Sequence, residues 1–133
     1  PSPLNAILWS SLIETDKGFR TAYYSLFDKQ EVTYSKEFLK NYHLLEPYLE
    51  QKVIKQLIDI SAGWYRIEEK NGKLLFWDLR FGQMGMDVDT ASFLWYYELN
   101  IDKKGIVSAI KRQPEIKNMS GIFSSLFNRA KGN

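Results

Sequence analysis

Asp78 and Arg80 have the types and spacing that can do chemistry: an acid and a base two residues apart inside Phe76-Trp-Asp-Leu-Arg-Phe-Gly-Gln-Met-Gly85. Read as an extended segment, this stretch puts Trp77, Leu79 and Phe81 on one side and Phe76, Asp78 and Arg80 on the other, so one face is apolar and the other mostly polar. Two side chains on one strand face can form an ion pair or orient a ligand's carboxylate or phosphate. The bland reading is mutual neutralisation, also with neighbours such as Arg66 and Glu98. The functional one requires a pocket, for which Phe76, Tyr65 and Tyr96 are the candidate walls.

Other chemistry-bearing residues are sparse. Asp87 and Asp89 start a hard-cation loop, but the mid-loop glycine, further acids and closing glutamate of such a loop do not follow, so a solvated turn is expected and no metal. His43 is the only histidine and has no cysteine or second histidine to complete a metal site or triad. Ser10, Ser11, Ser25 and Ser61 lack the glycine context of a nucleophile elbow. Glu14, Glu68, Glu69 and Glu98 could pair as general acid and base only if the fold brings two of them together. Gly82-Gln-Met-Gly85 lacks the lysine and spacing of a phosphate loop.

The elements that must position these residues are legible from periodicity. Asn5–Ile13 and Phe19–Phe27, separated by Asp16-Lys17-Gly18, read as a β-hairpin whose first strand is apolar on both faces and is therefore expected to lie centrally in a sheet. Asp28–Glu31 is a polar turn, and Val32–Phe38 reads as a short strand or a helix start. From Pro47, Leu49, Val53, Leu57 and Ile60 recur at three and four residues, which predicts the main amphipathic helix, with Pro47 in its first turn and Ser61-Ala-Gly63 as its stop. Strands follow at Trp64–Glu69, Leu74–Phe81 and Ser92–Ile101, the first two joined by Asn71-Gly72, a two-residue hairpin signal. Phe93, Trp95, Tyr97, Leu99 and Ile101 share one face of the third, and Ile106–Ile110 reads as an edge strand. Beyond Pro114, Ile122, Phe123, Leu126 and Phe127 mark a short amphipathic helix ending in Arg129, Lys131 and Gly132, where the cations complement the helix dipole. The expected fold is α+β: an antiparallel sheet of five to six strands with one main helix packed on it and a short C-terminal helix.

Composition narrows the function classes. The chain has 133 residues, 44% hydrophobic and 15% aromatic, enough for a single domain with its own core. Without cysteine it has no disulfide framework, thiolate zinc site or cysteine nucleophile. Eighteen basic and sixteen acidic residues give +2 with the signs interspersed, which gives no indication of nucleic acid. No run reaches the roughly 18 apolar residues of a membrane span. The opening Pro1-Ser-Pro-Leu4, without methionine, suggests a piece cut at a proline-marked linker from a longer protein.

Pro3-Leu-Asn-Ala-Ile-Leu-Trp9, Gly18 with Tyr23-Tyr-Ser-Leu-Phe-Asp28, Ser61-Ala-Gly-Trp-Tyr65, and Asp78 followed by Leu79-Arg-Phe-Gly82 together resemble the soluble C-terminal region of predicted membrane-bound, metal-dependent hydrolases of the YdjM-like kind, in the form seen in Bacteroidetes. The resemblance spans roughly residues 3 to 100. It implies a parent inner-membrane protein whose N-terminal transmembrane bundle carries the histidine and acidic ligands of a divalent metal, with this domain on the cytoplasmic face. Those ligands have no counterpart here, so the resemblance transfers no catalytic residue, and it leaves Trp9, Asp78 and Arg80 as structural positions.

Three functions are therefore expected in order. The first is a noncatalytic accessory domain whose partner is the transmembrane part of its own chain, with contact to the membrane surface through Phe123, Phe127, Arg129 and Lys131 as a further possibility. The second is a small-ligand module in which Asp78 and Arg80 orient a polar group in an aromatic-lined pocket. The third is a free-standing enzyme using Glu and Tyr side chains. No cofactor is expected in the chain itself.

Overall fold

The computed structural model describes residues 6–84, 92–115 and 119–132. The expected α+β class is correct, but in place of one sheet of five to six strands there are two antiparallel sheets of four strands each. The chain folds as two compact units, each described on its own: residues 1–38, 84–92 and 116–133 form the first, and residues 39–83 and 93–115 the second. Local sequence announces hairpins but not which hairpin joins which sheet, because that choice rests on pairings remote in the chain.

The first sheet is built on the hairpin of β1 (Leu8–Glu14) and β2 (Gly18–Ser25), paired from Leu8↔Ser25 to Glu14↔Phe19. Two short strands, β3 (Thr33–Tyr34) and β4 (Phe38–Leu39), also pair with β2, resolving the ambiguous 32–38 stretch as strand. The expectation of a central β1 is overturned: the sheet runs β1-β2-β3, so β1 is an edge and β2 is the central strand. Apolar residues on both faces of β1 reflect surface stacking, because Trp9 lies opposite Tyr24 with ring centroids 6.0 Å apart and both remain exposed. The buried side chains of this unit are instead mostly those of β2, among them Phe19, Thr21, Ala22, Tyr23 and Ser25.

In the second unit, a 3-10 helix (Tyr42–Tyr48) precedes α1 (Lys52–Ser61). Pro47 therefore does not open the main helix, as its spacing suggested, but lies within the 3-10 turn. The reason is Gln51, whose extended backbone separates the two helices while its amide grips a distant turn: Nε2 donates to the Gly105 carbonyl at 2.7 Å and Oε1 accepts from the Val107 N–H at 2.8 Å. Ala62, left-handed at φ 51°, ends α1, and its N–H donates to the Asp59 carbonyl.

The second sheet runs β5 (Tyr65–Lys70), β6 (Lys73–Met84), β7 (Ser92–Ile101) and β8 (Val107–Arg112). Asn71 and Gly72 both have positive φ, 53° and 73°, which gives the type I′ turn that the dipeptide predicts. One face of this sheet packs with α1 and the 3-10 helix: Leu45, Ile54, Leu57, Tyr65, Ile67, Phe76, Leu99 and Val107 make one buried cluster. The last element is α2 (Met119–Ala130), in the first unit. Among the described residues no helix is long and apolar enough to cross a membrane.

Candidate functional site

Asp78 sits on β6 directly opposite Tyr65 of β5, on the same strand face as Phe76. The sequence presented this as a mostly polar face, yet Phe76 and Asp78 are only 1% and 2% exposed, whereas Phe81 on the nominally apolar face is 54% exposed. Twist and the covering helices, not residue polarity, determine which positions along a long strand are buried.

The carboxylate of Asp78 is gripped by its neighbour. Arg80 Nε donates to Oδ1 at 3.0 Å and Nη2 to Oδ2 at 2.7 Å, a two-pronged fork, and the Arg80 backbone N–H adds a third contact to Oδ1 at 3.2 Å. That hydrogen bonding holds the Arg80 guanidinium above its ordinary pKa. Its side chain keeps 34% of its exposure and lies 5.2 Å from the Phe81 ring centre. Both oxygens of the acid are thus engaged within the strand that carries it.

The aromatic neighbours form a continuous stack. Tyr65 lies between Tyr42, at 4.5 Å between centroids, and Phe76, at 4.6 Å, and Tyr97 meets the edge of Phe76 at 6.4 Å. Burial raises the Tyr65 phenol pKa. Tyr96, the third expected wall residue, pairs with Trp77 at 4.7 Å on the opposite face of β6 and is not brought to Asp78.

Four of the remaining candidates are tied into structure. Glu68 accepts from the Trp77 indole at 2.7 Å, and Glu98 is bound by Lys73 at 2.7 Å, which lowers its pKa. Ser25 Oγ donates to the Ala130 carbonyl and Ser61 Oγ to the Ile58 carbonyl. Ser10, Ser11 and Glu14 are exposed on β1, Glu69 on β5 and His43 on the 3-10 helix. Asp87 and Asp89 lie outside the described residues. Among the described residues no three His, Cys, Asp or Glu side chains gather in a way that fits a divalent metal, so no step through one is derived for this chain.

Sequence reasoning missed a second cluster, around α2. Arg129 donates from both terminal nitrogens to Asp28, at 2.7 Å for the Nη2–Oδ2 contact, and Nη2 also reaches the Tyr23 carbonyl at 3.1 Å. Asp28 Oδ2 accepts from the Ser25 N–H as well, at 2.8 Å. Residues 28 and 129 carry no spacing signal that would pair them. Beside this clamp, Ile7, Phe27, Phe127, Ala130 and Lys131 line an apolar groove of about 370 Å³. No family model, curated protein or solved structure matches the chain.

Proposed function

We propose that this chain is a noncatalytic accessory domain of a membrane-bound, metal-dependent hydrolase of the kind it resembles, with the metal chemistry held by the transmembrane part and this domain contributing contact and support. One observation carries the reading: the acids best placed to do chemistry are each tied into structure, Asp78 by Arg80, Asp28 by Arg129, Glu98 by Lys73 and Glu68 by Trp77. A general acid or nucleophile must be free to exchange a proton or attack substrate, and a carboxylate held by two donors in a fork is a poor one.

The test uses the purified chain. After equilibration with Zn²⁺, Mn²⁺ or Mg²⁺ and exhaustive dialysis, elemental analysis should find far less than one metal per chain, and p-nitrophenyl ester and phosphoester substrates should be turned over no faster than in buffer. A stoichiometric metal, or turnover abolished by Asp78→Asn, sinks the reading.

A further inference from the structure

The outward face of α2 carries an exposed apolar stripe. Met119, Phe123 and Phe127, spaced four apart and so aligned along one face, are 48%, 55% and 57% exposed. Ile122 and Leu126 are half-buried and Ala130 is buried, so the helix already has an inner apolar face and the stripe is a second one. The orientation is fixed, because Arg129 is locked to Asp28 and the Ala130 carbonyl accepts from Ser25 Oγ at 2.6 Å.

The stripe continues onto the chain leaving β2. Phe27 is 57% exposed, and it lines the same apolar groove as Phe127. A contiguous patch of large apolar side chains is a docking surface rather than scattered exposure. Its charge indicates the occupant. The α2 helix contains no acidic residue, the charge of Arg129 is neutralised by Asp28, and the exposed Lys131 holds its ammonium 4.7 Å from the centre of the Phe127 ring, at the rim of the groove. Aromatic and aliphatic side chains edged by a lysine and without acids fit the boundary of an anionic bilayer, where rings enter the headgroup region and the cation meets lipid phosphate. A second copy would present the same lysine with no free acid on the patch to receive it.

We propose that the Phe27, Phe123, Phe127 and Lys131 surface docks on anionic lipid bilayer. This deepens the accessory-domain reading and rests on it for its biological setting, but its test measures neither metal nor turnover, so either can fail alone. The purified chain is floated with vesicles of phosphatidylcholine containing phosphatidylglycerol, and with phosphatidylcholine alone. Binding is expected to the first and to be at least roughly five-fold weaker to the second, in line with about 1 kcal/mol per lysine at such a surface. Phe123→Ser with Phe127→Ser should reduce binding about ten-fold or more, and Lys131→Gln a few-fold, with the unfolding midpoint recorded for each. Phe123→Ser alone, at a solvent-facing position, provides the readout if the pair fails to fold. Trp9→Ser, an exposed aromatic on β1, should leave flotation unchanged. Absence of flotation with phosphatidylglycerol vesicles, flotation untouched by both the Phe123 and Lys131 changes, or a dimer in light scattering that Phe123→Ser dissolves without any vesicle binding would each overturn the proposal.

Discussion

Arg129 on α2 clasps Asp28 at the exit of β2, joining residues 101 apart through two guanidinium nitrogens, and the Asp28 side chain is completely shielded from solvent. Removing one partner of a buried pair leaves the other charge uncompensated. Arg129→Ala should lower unfolding free energy by on the order of 3 kcal/mol in urea denaturation, whereas Asp28→Leu with Arg129→Leu should cost less than either single change. A loss for Arg129→Ala within experimental error would mean that the clamp does not hold α2.

Gly132 closes the same region. Its φ is +89°, and a Cβ built there would stand 2.1 Å from the Phe27 carbonyl oxygen, a backbone atom that cannot step aside. Gly72, also at positive φ, has nothing within 4 Å of such a Cβ. Gly72→Ala should therefore cost about 1 kcal/mol, from conformation alone, and Gly132→Ala should cost clearly more. Comparable unfolding midpoints for the two variants would contradict the close approach.

Arg80 pairs with the buried Asp78, so Arg80→Ala should destabilise the second unit by on the order of 2 kcal/mol, less than a fully buried pair because the guanidinium is partly solvated. Arg80→Lys should recover only part of this, since an ammonium cannot make the fork. Asp78→Asn keeps the shape and loses the charge, and should fall between wild type and Arg80→Ala. Thermal denaturation of the three variants ranks them.

Tyr23 provides a pH signature. Its buried phenol is pushed up from 10.0 to about 12. Because the folded pKa is raised, the phenol has no effect on stability below pH 10; from there the unfolded chain ionises first and stability falls until pH passes the folded value. Between pH 9 and pH 11 the loss should be about 1.3 kcal/mol, roughly half of the whole, and be absent in Tyr23→Phe, read by urea unfolding at the two pH values. Phenolate absorbance should show one tyrosine titrating about two units late.

Much of the local structure was legible in residue order. Asn71-Gly72 specified its turn because only a residue pair tolerant of positive φ closes a two-residue hairpin with the right twist. The recurrence of Leu49, Val53, Leu57 and Ile60 located the main helix but not its buried face, which Ile54 and Leu57 carry while Leu49 and Ile60 are exposed. Alternation alone placed β7 at Ser92–Ile101. These signals are local: each depends on neighbours a few residues away.

What depended on distant contacts was not legible. Whether the strands formed one sheet or two and whether β1 was central or an edge were decided by strand pairings remote in the chain, and where α1 began by the hold of Gln51 on Gly105 and Val107. Asp78 and Arg80 were identified as a pair from their spacing, but only the tertiary structure buried the acid and left its partner part-solvated. Asp28 and Arg129 could not be paired at all from sequence, because the free energy that joins them comes from desolvation and charge complementarity in the folded chain, and neither has a period along it.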